Sequence, residues 1–236
     1  MTKENKSKVN KERIKAVVFD IGGVLLLGDK KVKYGHQNIN VHTFMAKKFN
    51  LSLKKWFDKI EEPYSKAITG EWSKEKVLKK MSENLSSSKK IKPEKIEEWF
   101  VKSHRKYFRK NKKLFDFAKN LKDRCYIGIL SDQTYFSEQA LLTKYKMENF
   151  NPVIISCEEG IRKPDKKIYR LLKKRLDGLE KKKGNKEKVK YEEIVFIDNR
   201  DWNLKPAREL GMKTILFKTN KQTIKKIKEI LKQNKE

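Results

Sequence analysis

The chain has 236 residues and carries 60 Lys and Arg against 31 Asp and Glu, which gives a formal net charge of +29 at pH 7. Hydrophobic residues make up 37% of the chain, enough to bury a core at this length, and no apolar run reaches the length of a membrane span, so we expect no membrane association. The two cysteines, Cys125 and Cys157, lie in apolar strand-like runs, which argues against a disulfide framework and is typical of a reduced, cytoplasmic protein.

The excess of positive charge raises nucleic acid as a partner. However, only nine of the basic residues are Arg, the side chain whose bidentate fork suits phosphate and base recognition. The lysines are spread over nearly every predicted helix and loop. We therefore favour a general lysine bias over a dedicated nucleic-acid surface, and a strongly salt-dependent affinity for RNA or DNA would be needed to support that surface.

The first element of the chain is a polar, lysine-rich stretch at residues 1–14, which is predicted to form a tail. A β-branched apolar run at residues 15–19 is typical of a buried parallel strand. The strand stops at Asp20, a carboxylate with no packing reason to be there, and Gly22 and Gly23 follow at once. An acid at a strand end before a flexible turn is typical of sites in open α/β sheets, although on this stretch alone a simple capped turn is an equal alternative.

Residues 29–111 show apolar side chains at helical spacing and no clear strand. Ser73 is placed to cap one helix, and Pro93 is placed to begin another. The block is predicted to be a separate bundle of about four helices, inserted after the first strand. His104 and the aromatic residues of this block are assigned to its core, with substrate contact by Trp72 as a less favoured alternative.

From residue 112 onward, predicted strands alternate with amphipathic helices. Four further strands are predicted at residues 126–130, 153–156, 194–197 and 214–217. The pattern predicts an α/β fold with a Rossmann-like, parallel five-stranded sheet core, formed by residues 15–28 and 112–236, that carries the helical bundle as an insertion. Residues 180–190, rich in lysine and glycine, are predicted to be a mobile surface insertion.

Three of the predicted strands end in polar side chains, those of Asp20, Ser131 and Asp198. The carboxyl ends of parallel strands share one edge of the sheet, so these groups can converge. Two carboxylates suit a hard divalent cation, usually Mg²⁺ where phosphate is handled, and a hydroxyl with exposed amides can hold phosphate oxygens. Lys163 can add a positive charge, and a carboxylate close to phosphorus can act as a nucleophile. These residue types therefore predict metal-assisted phosphoryl transfer.

Four motifs carry a resemblance to a known family. They read FDIGGV at residues 19–24, ILSD at 129–132, GIRKPD at 160–165, and VFIDN at 195–199 running on to ARELGM at 207–212. Each motif alone is weak, but four in this order at compatible spacing are specific. The match spans residues 15 to about 217. The chain resembles the haloacid dehalogenase-like hydrolases, in particular their phosphatase-like branch with a helical cap.

The resemblance implies roles for the motif residues. Asp20 would be the catalytic nucleophile and a Mg²⁺ ligand, and the Gly22 carbonyl and Asp198 would be the other protein ligands of the metal. Lys163 would hold both the nucleophile and the phosphoryl oxygens. Residues 29–111 resemble the cap that closes over the site, excludes water and selects the leaving group in this branch.

The phosphate-binding set that the resemblance implies consists of side chains and backbone amides around Asp20. Ser131 would contribute its hydroxyl to phosphate binding and to catalysis. Lys163 would contribute its charge, and Gly22, Gly23 and Asp132 would line the same position.

The chain departs from the family pattern at two positions. Gly22 stands where phosphatases usually carry a second aspartate that protonates the leaving oxygen, and losing that group could cost about a hundredfold or more in rate. Some phosphatase-like relatives also have glycine there, and a water or a cap side chain could stand in, with Asp29 and His36 as weak candidates. Asn199 stands where a second acid often follows Asp198, and Asp201 could restore that charge.

The favoured function is therefore a Mg²⁺-dependent phosphoric monoester hydrolase acting on a small phosphorylated metabolite. A sugar phosphate is the first expectation for the substrate and a nucleotide the second, although neither is read from the sequence. One alternative is a catalytically impaired relative that binds a phosphorylated ligand or a partner, motivated by Gly22 and Asn199. Another is a dehalogenase, since the dehalogenases also lack the second aspartate, but they work without a metal and Asp198 favours the phosphatase. The sequence gives no oligomeric state.

Overall fold

The computed structural model of the protein describes residues 13–28, 39–86, 91–145 and 147–232. Strands and α-helices alternate through this part of the chain. The strands are β1 (Ala16–Phe19), β2 (Leu26–Leu27), β3 (Arg109–Lys110), β4 (Tyr126–Ser131), β5 (Val153–Ile155), β6 (Ile194–Asp198) and β7 (Lys213–Leu216). The helices are α1 (Ile39–Lys48), α2 (Leu53–Ile68), α3 (Lys74–Leu85), α4 (Pro93–Tyr107), α5 (Lys112–Lys119), α6 (Tyr135–Tyr145), α7 (Ser156–Glu159), α8 (Lys166–Lys182), α9 (Asp201–Glu209) and α10 (Asn220–Lys232).

The core is a five-stranded parallel sheet in the order β5-β4-β1-β6-β7. Its central strand, β1, is buried on both faces because its side chains alternate between two hydrophobic clusters. Val17 and Phe19 belong to the cluster beneath α5 and α10, while Ala16 and Val18 belong to the cluster beneath α8 and α9. The predicted α/β class and the parallel five-stranded sheet are confirmed.

The helices α1–α4 form a bundle, which we call the helical insertion, with an apolar cluster around Trp56 and Phe100 that Phe136 of α6 completes. Its helix starts follow local sequence signals. The Ser52 and Ser73 hydroxyls each accept a hydrogen bond from the backbone N–H three residues on, and Pro93 is the first residue of α4. The four predicted helices are therefore present in the described residues.

A short antiparallel pair, which we call the stem, joins the helical insertion to the sheet. Leu26 of β2 pairs with Lys110 of β3, and Leu27 pairs with Arg109. The Asn111 side chain then donates to the Val24 carbonyl oxygen at 2.8 Å. The chain thus leaves the core and returns to it at one place. The sequence did not indicate this pair, because strands of two residues are too short to show an alternating pattern.

The sequence interpretation was wrong for part of residues 180–190, since Glu180 and Val189 are buried. Helix α8 extends to Lys182, and the Tyr126 hydroxyl donates to Glu180 at 2.7 Å. The abundance of lysine hid these two inward-facing positions. At the same end of the core, Ile14, which the sequence places in the tail, packs into a hydrophobic cluster of the sheet.

Ser156, predicted to end a strand, begins the four-residue helix α7 instead. Asp29 and His36 lie outside the described residues. Within the ranges that the structure covers, no helix has both the length and the apolar character needed to cross a bilayer.

Two buried histidines lie in the helical insertion. The Trp56 indole N–H donates to Nδ1 of His42 at 3.0 Å, and burial, together with His104, lowers the pKa of His42 to about 3. Nδ1 of His104 lies 2.8 Å from the Phe100 carbonyl oxygen and therefore carries the proton. Burial lowers the pKa of His104 to about 4, although this carbonyl opposes the shift. Both rings are thus neutral in the folded protein at pH 7.

We predict that the free energy of unfolding decreases as the pH falls from about 6.5 toward 5, by roughly 2 kcal/mol for each of these histidines. In this window an unfolded histidine binds a proton that the buried one cannot bind. Urea denaturation at pH 7.5 and pH 5 measures the effect. The variants His42→Asn and His104→Asn keep an amide group at the position of Nδ1, and each should reduce the loss between the two pH values. An unchanged loss in both variants would contradict the assignment.

Candidate active site

Asp20 lies at the carboxyl edge of the sheet, directly after β1. Its backbone N–H donates to the Ile197 carbonyl oxygen of β6 at 2.9 Å, which continues the sheet pairing by one residue. The side chain is 7% exposed. Because Asp20 directly follows the central strand, the sheet hydrogen bonds fix the position of its backbone.

Ser131 and Asp198 end the two strands that flank β1. Phe19 pairs with Ile129 of β4 and with Ile197 of β6, so the residues that follow on all three strands come to the same edge. The Ser131 hydroxyl donates to Oδ1 of Asp20 at 2.8 Å. The structure thus brings together the three strand-end residues that the sequence singled out.

Lys163 joins the two carboxylates. Its ammonium group donates to Oδ1 of Asp20 at 2.9 Å and to Oδ2 of Asp198 at 2.7 Å, and also contacts the Leu130 carbonyl oxygen at 3.2 Å. The lysine is 2% exposed and Asp198 is fully buried. Three acceptors match the three N–H bonds of the ammonium, which is the condition for burying such a charge.

The electrostatics of the site follow from this burial. For Lys163, burial favours the neutral form, but the carboxylates of Asp198, Asp20 and Asp132 outweigh that effect and raise its pKa above the ordinary value. Burial raises the pKa of Asp20 to about 6, against the lowering effect of Lys163 and with a further rise caused by Asp198. Lys163 is therefore a permanent cation between two acids.

Asp132 holds the loop that carries Lys163. Its Oδ1 accepts from the backbone N–H of Lys163 at 3.0 Å, and its Oδ2 lies 3.6 Å from Nε of Arg162. Because a carboxylate repels phosphate, only the backbone N–H of Asp132 suits the phosphate-binding role expected for this residue. Its side chain instead fixes the position of the lysine.

Asp198 has additional partners that sequence reasoning missed. The Arg200 backbone N–H donates to its Oδ1 at 2.8 Å, and the Asn203 side chain donates to its Oδ2 at 3.0 Å. Asn203 lies one turn into α9 and is buried, so its amide orients the carboxylate. Asp201, considered as a source of extra charge, pairs instead with Arg208 at 2.9 Å.

Gly22 and Gly23 form the turn after Asp20, and the two glycines have different surroundings. Gly23 has φ +81°, and a Cβ there would lie 2.2 Å from Nδ2 of Asn199, so the Asn199 side chain lies directly against the turn. This backbone conformation favours glycine. A Cβ on Gly22 would meet no atom within 4 Å. The position of the missing second aspartate is therefore open space.

Gln133 is a further site residue that the motifs did not indicate. Its side-chain amide donates to the Ser131 hydroxyl oxygen at 2.9 Å, and its backbone N–H donates to the Ser156 hydroxyl oxygen at 3.0 Å. The residue is 9% exposed. A lone glutamine after a strand has no spacing signal, so only the folded chain shows this contact.

The donor set at the sheet edge suits Mg²⁺. The Lys163 ammonium nitrogen contacts one carboxylate oxygen of Asp20 and one of Asp198, so these two oxygens are close enough for a single cation to bind both. Oxygen ligands are those that Mg²⁺ prefers. Among the described residues, no cluster of three or more His, Cys, Asp or Glu could hold a metal, so backbone carbonyls, such as that of Gly22, and water would have to complete the coordination.

The helical insertion packs on the site side of the core. The turn after α2 contacts α7, where a Cβ on Gly70 would lie 2.0 Å from the Cys157 carbonyl oxygen. Burial raises the pKa of Tyr64, on α2, to about 12, and the positive charges of Arg162 and Arg200 oppose this shift. Trp72 is packed beneath the Lys76 ammonium, at 4.3 Å, in agreement with a packing role.

Comparison with known proteins gives the family. A family model for "haloacid dehalogenase-like hydrolase" matches residues 14–211. The chain belongs to this hydrolase family. Among solved structures, a HAD family enzyme from Bacteroides thetaiotaomicron superposes with a TM-score of 0.66 at 18% identity, covering 87% of this chain and 94% of that one. The same enzyme has been solved in complex with magnesium and inorganic phosphate, and that structure has a TM-score of 0.64.

Two further solved structures share the fold. A predicted HAD-like hydrolase from Porphyromonas gingivalis has a TM-score of 0.63 at 20% identity, covering 92% of this chain and 98% of that one. The L-2-haloacid dehalogenase of Xanthobacter autotrophicus has a TM-score of 0.50 at 17% identity, covering 85% and 76%. At these identities the structural matches establish the fold.

The curated relatives match over a shorter range. The bifunctional epoxide hydrolase 2 of Rattus norvegicus is 35% identical over 83 residues, which is 35% of this chain and 13% of the rat protein. The same enzyme from Sus scrofa is 33% identical over 101 residues, 43% of this chain and 16% of the pig protein. The matched part is thus a small fraction of these longer proteins.

We predict that Lys163→Met lowers the free energy of unfolding by roughly 3 kcal/mol, because it leaves two buried carboxylates facing each other without their cation. Lys166→Met is the matched control. Lys166 pairs with Glu209 at 2.7 Å on the surface, and its loss should cost less than about 1 kcal/mol. Urea denaturation at pH 8 compares the two variants. Adding Asp20→Asn to Lys163→Met should recover stability, and equal losses in the two lysine variants would contradict the role of the buried pair.

Proposed function

We propose that the protein is a Mg²⁺-dependent phosphoric monoester hydrolase that acts on a small phosphorylated metabolite. The observation that carries this proposal is the single buried Lys163 ammonium joining Asp20 and Asp198. A nucleophile beside a second, fully buried acid is the arrangement expected where a divalent cation and a phosphoryl group are held together. The relative from Bacteroides thetaiotaomicron that binds magnesium and inorganic phosphate supports the same conclusion.

In this proposal Asp20 is the nucleophile. Ser131 and Lys163 both donate to Oδ1, so Oδ2 is the oxygen that neither donor holds. Attack by Oδ2 on phosphorus forms an aspartyl-phosphate and breaks the bond between phosphorus and the ester oxygen, which leaves as an alcohol after taking up a proton. Water then attacks the phosphorus and loses a proton to solvent, and the bond between phosphorus and Oδ2 breaks, which releases inorganic phosphate and regenerates the Asp20 carboxylate.

The other site residues supply charge and orientation. Lys163 neutralises part of the charge on the phosphoryl oxygens, and the Ser131 hydroxyl and the amides of Gly22, Gly23 and Asp132 are the hydrogen-bond donors for them. Asp20, Asp198 and the Gly22 carbonyl would hold Mg²⁺. When bound, this ion supplies further positive charge to the phosphoryl oxygens.

The helical insertion has the position of a cap in this proposal. Its α2 turn lies against α7, the helix that begins directly after β5 at the carboxyl edge of the sheet. Closure of such an element excludes water and selects the leaving group. The preference for a sugar phosphate over a nucleotide stays a prediction, as do the cytoplasmic location, the lack of membrane association and the absence of a nucleic-acid partner.

A dehalogenase is the second candidate function, favoured by Gly22 in place of the second aspartate and by the match to the Xanthobacter enzyme. Asp198 argues against it. A reaction that needs no metal gives no reason to bury a second carboxylate beside the nucleophile, where desolvation must be offset by Lys163 and Asn203.

We predict that the wild-type protein releases phosphate from a panel of phosphorylated metabolites with Mg²⁺ and not with EDTA, and that Asp20→Asn abolishes the release. The amide cannot form the acyl-phosphate. Asp123→Asn, which changes an acid at the opposite edge of the sheet, should leave the rate unchanged. Halide release from a 2-haloacid in EDTA, without phosphate release from any member of the panel, would replace the phosphatase by the dehalogenase.

We further predict that Gly22→Asp raises kcat by at least about tenfold, since it adds a proton donor and acceptor in open space two residues after the nucleophile. Gly22→Asn is the matched control, with the same shape and no acid. Steady-state phosphate release with Mg²⁺ measures both variants. An equal rise in both, or no rise in the aspartate variant, would show that the missing acid does not limit turnover.

A further inference from the structure

The proposed function leaves unexplained a short buried chain of hydrogen bonds that ends on the nucleophile. It begins at Ser156 in α7, passes through Gln133 and Ser131, and reaches Oδ1 of Asp20. Ser131 and Ser156 are fully buried, and Gln133 is 9% exposed. Polar groups buried in this way are held in one arrangement because each unmade hydrogen bond is costly.

The chain of hydrogen bonds ends on a group that can only accept, and this fixes which group donates in each bond before it. The ionised Asp20 carboxylate, paired with the Lys163 ammonium, can only accept, so the Ser131 hydroxyl must donate to it. The single proton of that hydroxyl is then used. The Gln133 side chain must therefore present its N–H₂ group to the serine oxygen, at 2.9 Å.

The backbone of Gln133 is held as firmly as its side chain. Its N–H donates to the Ser156 hydroxyl oxygen at 3.0 Å, and that hydroxyl donates to the Gln133 carbonyl oxygen at 3.3 Å. The two bonds tie the residue to the start of α7, against which the turn after α2 packs. The amide group is thus delivered to Ser131 from a rigid support.

We propose that Gln133 is a positioning residue for the reaction: its side-chain amide occupies the acceptor side of the Ser131 hydroxyl and so directs the one serine proton to the side of the nucleophile, where it is donated either to Oδ1 of Asp20 or to a phosphoryl oxygen. The inference rests on the proposed function and deepens it. A serine hydroxyl without this donor rotates among several acceptors, and the orientation needed in the transition state is then populated only part of the time.

The variant Gln133→Leu removes the amide and keeps an apolar side chain of similar length. We expect it to lower kcat/KM for phosphate release roughly tenfold. The same substitution in a Ser131→Ala background should cause no further loss, because the group that Gln133 orients is then absent. Gln133→Glu should be at least as impaired above neutral pH, since a carboxylate accepts the serine proton and turns it away from Asp20.

The double-mutant cycle separates positioning from general support of the fold. The control Gln139→Leu, at an exposed position of α6, should leave kcat/KM unchanged. Equal losses from Gln133→Leu in the wild-type and Ser131→Ala backgrounds would overturn the proposal, as would full activity of Gln133→Glu.

If the wild-type protein hydrolyses no member of the panel, the proposed function fails, and calorimetric affinity for inorganic phosphate with Mg²⁺ takes the place of kcat/KM in the same cycle. A loss of phosphate affinity in Gln133→Leu that disappears in the Ser131→Ala background supports the positioning role without the hydrolase. Additive losses, or a wild-type protein that does not bind phosphate, would overturn it.

Discussion

The buried contact of one ammonium with two carboxylates is the constraint on which the candidate site depends. Lys163 reaches Asp20 and Asp198 from a loop that is far from both in sequence, and its charge compensates two acids that the fold has removed from water. Either acid without the lysine would be an unpaired buried charge, and the lysine without them would lose its hydrogen-bond partners. The folded state therefore requires the loop at residues 160–165 to lie against the ends of β1 and β6.

Because Lys163, Asp20 and Asp198 depend on one another, each is held by further contacts. Asp132 fixes the backbone of Lys163, Asn203 fixes the carboxylate of Asp198, and Gln133 fixes the hydroxyl beside Asp20. Asp132 and Gln133 lie in the loop after β4, whereas Asn203 lies in α9. The geometry at the sheet edge is thus held from several directions by side chains that do not themselves have to react.

The sheet and the meeting of its strand ends could be predicted because they follow from short-range patterns. Apolar runs of strand length, separated by helices, require a parallel sheet, and a parallel sheet places Asp20, Ser131 and Asp198 along one edge. The resemblance placed Lys163 beside the nucleophile, but its contact with Asp198 was not predicted, since no periodicity in the sequence encodes the path of its loop.

Other features depend on the folded path alone. Gln133 and Asn203 meet the site through single contacts that polar residues make almost anywhere on a surface, and the two-residue strands of the stem are too short to show alternation. Glu180 was placed at the surface because its lysine-rich neighbours dominate the composition, although the Tyr126 hydroxyl satisfies it inside the fold. Burial of a polar residue is decided by a partner distant in sequence, and composition carries no information on such partners.

The stem has a consequence for how this fold can vary. Because Leu26 pairs with Lys110 and Leu27 with Arg109, the two points where the helical insertion attaches are neighbours across one antiparallel ladder. The register of the sheet therefore places no demand on the length of the inserted block. Its shape is constrained instead where it packs on the core, as at the turn after α2, which lies against α7. A change in the length of that block beyond the stem can therefore leave β1 and its acid in place, whereas a change on the faces that pack against α6 and α7 would reach the core.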